Sequence, residues 1–133
     1  MRHVSETGLG DRIRIESRPI PEMGFTEEFD LVYIQDALHE LPEPVASLTA
    51  AWAAVAAGGR LVVLEWFLPD EGPDAQSLQA QLLWGIQIDE LYQGTRMLTR
   101  SGFVSMFAAA GMPEPTVIDL LSGASLLVVS RDG

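Results

Sequence analysis

The chain has no cysteine, which excludes disulfides, cysteine–zinc centres and thiol chemistry. It also has no lysine: its eight basic residues are all arginine, set against 19 acidic ones, for a net charge of −11. Such an acidic surface argues against phosphate-backbone binding and against anionic membranes, so neither nucleic acid nor membrane is expected as a partner. No apolar run reaches membrane-spanning length, and the opening MRHVSETGLGD lacks the apolar segment of a secretory signal. A soluble, cytoplasmic protein is expected. There are two histidines, His3 in a polar stretch and His39, and neither has carboxylates at ligand spacing along the chain, so no metal is expected. A glycine-rich strand-to-helix turn is absent too. GLGD at residues 8–11 has the glycines, but no strand precedes it and a strand-like run follows it.

What is present suffices for one domain over residues 1–133, with residues 1–11 as a tail or helix end. The apolar fraction of 47% and charged fraction of 20% are those of an ordinary globular protein. Residues 12–18 (RIRIESR) alternate, with Ile13 and Ile15 on one face, and predict a half-buried strand ended by Pro19 and Pro21. Residues 29–35 form a nearly continuous apolar run, as in a strand buried on both faces of a parallel sheet. Pro42 and Pro44 open a helix whose Val45, Leu48, Trp52 and Val55 share a face, and Gly58-Gly59 is expected to cap it. Residues 60–68 (RLVVLEWFL) predict the next core strand, followed by a turn-rich loop at 69–73. A helical pattern over 75–92 sets Leu78, Leu82 and Ile86 in register and breaks at Gly94. Thr99 is expected to cap a further helix ending at Gly111. Residues 116–121 and 124–130 predict two strands joined at Ser122-Gly123.

The order β, β, α, β, α, α, β, β implies parallel crossovers with an antiparallel ending. Its centre, residues 29–68, is a βαβ unit with one His just past the first strand and one Glu within the second. Ligands of open α/β sheets bind at that strand edge. A neutral imidazole suits the removal of a hydroxyl proton. Glu65 in LVVLEWFL is a carboxylate in an apolar strand, and such a group needs a partner. It either orients His39 or pairs with an arginine or a backbone amide. Trp84, Ile88, Asp89 and Tyr92 lie along one predicted helix, and an aromatic stripe at such spacing suits core or dimer packing.

Several segments in order resemble the C-terminal part of class I S-adenosylmethionine-dependent methyltransferases, most closely the small-molecule O-methyltransferases. They are LGDRIRI, FDLVYIQDALHEL, AAVAAGGRLVVLEWFLP and GTRMLTRSGFVSMFAAAGM. The resemblance covers nearly the whole chain from about Leu9 onward. It implies an α/β, Rossmann-like fold, N-terminally truncated, with the first two strands and glycine-rich loop absent and an antiparallel hairpin at the end. It also implies His39 as general base, Glu65 as its support, Gln35 and Asp36 beside the cofactor, and Trp84, Ile88 and Tyr92 toward a small-molecule substrate. The implied cofactor is S-adenosylmethionine.

The chain departs from the family pattern at named positions. Met97 stands where a second glutamate would flank the histidine, Gln35 where a lysine would precede it by four residues, and Ser17 or Arg18 where an acidic residue would meet the adenine. The expected activity is methyl transfer to a hydroxyl of a small molecule; the alternative is a non-catalytic methyltransferase-like module acting in oligomerisation or small-ligand binding. Without its first two strands, the strand at 29–35 would offer an open apolar edge. A homodimer, or pairing with a separate N-terminal half, is therefore expected.

Overall fold

The computed structural model of the chain describes residues 6–70 and 77–133. Its centre is a four-stranded mixed sheet of β1 (Phe29–Gln35), β2 (Val55–Glu65), β3 (Thr116–Asp119) and β4 (Ser125–Ser130), in the spatial order β1-β2-β4-β3. Helix α1 (Pro44–Ala53) carries the chain from β1 to the parallel β2. Helices α2 (Leu78–Gln93) and α3 (Arg100–Ala109) precede β3 and β4, and β4 runs antiparallel to both β2 and β3.

Strand register explains where the core sits, because paired residues share a face of the sheet. Ile34 pairs with Val63, Val63 with Leu127, and Leu61 with Val129. These form one buried face, covered by Leu48 and Ala51 of α1 and by Phe103 and Phe107 of α3. The opposite face carries Leu31, Tyr33, Val62, Leu64, Leu126 and Val128, and all of these are partly or largely exposed.

β1 occupies its expected residues, yet it is not buried on both faces. It is the edge strand of the sheet, so Leu31 is 60% and Tyr33 48% exposed. Residues 12–18 do not form a strand, and Ile13 and Ile15 are exposed. A strand exists only through a hydrogen-bonded neighbour, and no described strand pairs with this segment.

Gly58-Gly59 does not cap α1. The helix ends at Ala53, where the amides of Glu27, Glu28 and Phe29 donate to the carbonyls of Ala53 and Ala54. The glycines instead lie inside β2, at a break in register where Phe29 faces Val55 but Leu31 faces Arg60. Gly58 takes φ +76, and a Cβ on Gly59 would stand 2.9 Å from the carbonyl oxygens of Ala56 and Asp30. The pair thus builds a bulge with close backbone approach.

The later elements follow their local signals. Gly94 ends α2 at φ 87 in the left-handed region, and the Thr99 hydroxyl accepts the Gly102 amide of α3 at 3.2 Å. The Ser77 hydroxyl caps α2 by accepting the Ala80 amide at 3.1 Å. The expected helix start at Ala75, most of the loop at 69–73, and His3 lie outside the described residues. No helix among the described residues is long and apolar enough to cross a membrane.

Candidate active site

The chain leaves β1 through a tight reversal. Asp36 holds φ 47, a region side chains rarely adopt, and its amide donates to the Leu64 carbonyl of β2 at 2.8 Å. A single helical turn, Leu38–Glu40, follows, anchored by the fully buried Leu38. Glu65 ends β2 immediately beside it, fully buried on the core face. One carboxylate oxygen accepts the Leu38 amide at 2.9 Å and the other lies 2.9 Å from His39 Nδ1. Glu65 therefore fastens both the backbone of the loop and its imidazole to the end of the sheet.

Glu65, as a carboxylate, can only accept, so the Nδ1 proton points to it and the Nε2 lone pair is left toward the cavity. The His39 side chain is 6% exposed, and Nε2 makes no hydrogen bond among the described residues. The Glu65 hydrogen bond raises the imidazole pKa above its ordinary value, and burial opposes that rise. The negative charges of Glu65, Glu90 and Glu40 add to it.

His39 opens on a cavity of about 510 Å³. One wall is a single row of α2, Leu78, Leu82, Ile86 and Glu90, spaced four residues apart; Trp66 and Met97 help form the rest. This row is exposed toward the cavity rather than packed into the core. Trp84, Ile88 and Tyr92 do not line the cavity; they lie on other rows of α2, and Tyr92 is 92% exposed. Asp89 is turned away as well, toward Gln93. The physical reason is phase: on a helix with 3.6 residues per turn, the rows containing 82 and 84 lie on different sides. Asp36 lines the cavity, whereas Gln35 does not and lies on the exposed face of the sheet opposite Leu64.

Glu90 is the group that sequence reasoning missed. Its carboxylate stands 3.9 Å from His39 Nε2, accepts the Thr95 hydroxyl, and is only 13% exposed. The signal was available in its spacing, since Glu90 continues the Leu82–Ile86 row. Met97 is buried in the cavity wall, and its amide donates to the buried Gln87 side chain at 2.7 Å. The second carboxylate near the imidazole thus comes from α2 rather than from position 97.

Folding also assembles two triplets that chain spacing did not suggest. Asp36, His39 and Glu65, and again His39, Glu40 and Glu90, each bring one ligand atom apiece within 4.8 Å of one another. In the first set Nδ1 and a Glu65 oxygen already engage each other, which leaves the second as the set with a free nitrogen.

No protein-family model and no curated protein sequence matches the chain. Solved structures do match. An O-methyltransferase family protein from Burkholderia thailandensis aligns with TM-score 0.71 at 17% identity, over 99% of this chain and 40% of that one. PigF, solved with SAH, aligns with TM-score 0.71 at 20% identity, over 99% and 43%. The cyclase SpnF aligns with TM-score 0.69 at 13% identity, over 98% and 60%. The chain spans about two fifths of the length of the O-methyltransferase structures it matches. Identities this low speak to fold, and SpnF illustrates that one fold carries more than one chemistry. This chain has the fold of the C-terminal part of the S-adenosylmethionine-dependent O-methyltransferases.

Proposed function

We propose that the chain is the substrate-side part of a methyltransferase acting on a hydroxyl of a small molecule, with His39 as general base. The observation that carries this reading is the Glu65–His39 pair, which leaves Nε2 without a hydrogen bond in the wall of the cavity. Nε2 is placed to take the proton of the acceptor hydroxyl, whose oxygen would attack a sulfonium methyl as that methyl's C–S bond breaks to leave a neutral thioether. Glu65 holds the ring in the required tautomer and stabilises the imidazolium that results. The Leu78–Leu82–Ile86 row offers the acceptor's body an apolar wall.

S-adenosylmethionine, when bound, supplies an electrophilic methyl group on a sulfonium cation. The cavity's carboxylates, Asp36 among them, fit the charge of that reactive end. No glycine-rich turn is present to hold the nucleoside and amino-acid ends. Those ends would be held by residues outside this chain. Calorimetric titration of the 133-residue chain with S-adenosylmethionine and S-adenosylhomocysteine is expected to give weak or undetectable heat. Methyl transfer should appear once an N-terminal strand–glycine-turn–helix segment is supplied in cis or in trans. No transfer with that segment present, across a panel of hydroxylated aromatics, would sink the enzyme reading.

A second reading, a non-catalytic module acting through oligomerisation or ligand binding, is favoured by two open surfaces. The outer edge of β1 has no strand beside it among the described residues, and Trp84, Ile88 and Tyr92 form an exposed apolar row on α2. Under either reading these surfaces call for a partner, a second copy or an N-terminal half. Light scattering of the chain alone should therefore report a dimer or larger species. A clean monomer that binds no apolar-surface dye rules out self-association.

A further inference from the structure

We propose that the acceptor bound in this cavity carries a positive charge: an amphipathic amine whose apolar body lies along α2 and whose cationic nitrogen sits between Glu90 and Glu40. The inference deepens the substrate-side reading above and rests on it. Its first support is an imbalance of charge. Glu90 is only 13% exposed, yet its partners are the Thr95 hydroxyl and an imidazole nitrogen 3.9 Å away, outside hydrogen-bond reach. Burying a carboxylate without a cation is unfavourable, and one imidazole, already engaged by Glu65, stands against three acidic side chains at the cavity.

The cavity lining has the same bias throughout. Asp36, Glu40 and Glu90 are all acidic, and among the described residues lining it His39 alone can carry positive charge. Neither Glu40 nor Glu90 pairs with an arginine among the described residues; the arginine ion pairs there link Arg14 and Arg18 to Glu16, Arg100 to Asp119 and Arg131 to Glu27, and Glu90 has only His39 Nε2 at 3.9 Å. The second support is His39 itself: a side chain 94% buried, with an Nε2 that has no hydrogen-bond partner. A ligand polar group can bond to it there. An amine adjacent to the acceptor hydroxyl serves both groups, donating to Glu90 while the hydroxyl faces Nε2. The remaining walls, Leu78, Leu82, Ile86 and Trp66, ask for an apolar and aromatic body. An anionic acceptor would set like charges together in a site partly shielded from water.

The test compares three probes sharing one indole body: tryptamine (cation), tryptophol (neutral alcohol) and indoleacetate (anion). Calorimetry at neutral pH, with a chelator present to remove metal ions, is expected to show tryptamine binding at least about tenfold more tightly than tryptophol, and indoleacetate most weakly. Glu90→Gln and the exposed Glu40→Gln should each shrink the tryptamine advantage, and added salt should shrink it further. His39→Gln should retain the advantage, so the charge preference can be read even if methyl transfer fails. Equal affinity for tryptamine and tryptophol, no detectable tryptamine binding, or an advantage untouched by both glutamate variants overturns the proposal.

Discussion

His39→Gln is expected to lower the rate of methyl transfer by about 10²–10⁴-fold, the usual contribution of a positioned general base. Glutamine fills similar space and can still bond Glu65, so the loop should keep its geometry while losing the imidazole at the cavity. Steady-state kinetics of wild type and variant, with the N-terminal segment supplied, checks this; a loss below about threefold removes His39 from the proton transfer. The pH profile gives the sign independently. His39 acts only when neutral, and the Glu65 hydrogen bond raises its pKa above 6.5. The wild-type rate should therefore rise with pH through that elevated value. Glu65→Gln removes the negative charge and should move the rising limb to lower pH, leaving some activity. A purely structural Glu65 would change the amplitude and not the position of the limb.

Glu65→Leu should be the most destabilising single change at the site. It leaves the Leu38 amide and the His39 Nδ1 proton without acceptors in a buried setting. Each orphaned donor costs about 1–3 kcal/mol, giving roughly 2–6 kcal/mol for the two. Urea denaturation should report this as a lower midpoint at unchanged slope. A shift under about 1 kcal/mol would mean the loop finds other partners or water. The pH dependence follows from the raised imidazole pKa. The folded state favours charged His39, so the stabilisation is complete below the unfolded value near 6.5 and is lost as pH rises through the folded value. The stability gap between wild type and His39→Gln should accordingly narrow toward alkaline pH.

How far the site could be read from the sequence depended on the range of the forces involved. The bounds of β1, the stop of α2 at Gly94 and the Thr99 cap of α3 are local matters of apolar patterning, positive φ and one side-chain hydrogen bond. The Gly58-Gly59 pair was equally conspicuous, but local chemistry does not separate a helix cap from a strand bulge. The amides of Glu27, Glu28 and Phe29 settled it by ending α1 at Ala53. Residues 12–18 have strand-like alternation and no strand neighbour, and alternation without a neighbour makes no ladder.

The sequence by itself determined the βαβ core, the position of His39 past its first strand, and the oddity of a glutamate in the second. Each follows from period, composition and the unfavourable burial of a bare charge. Tertiary structure alone decided that Glu65 grips His39 Nδ1, that Glu90 approaches Nε2 from α2, and that Leu78, Leu82 and Ile86 face the cavity while Trp84, Ile88 and Tyr92 do not. The first two are contacts with residues 26 and 51 positions from His39, and the third is a matter of which helix row meets the sheet. Helix phase relative to a neighbouring element is set by packing, which no local pattern in a helix apolar on several sides can specify.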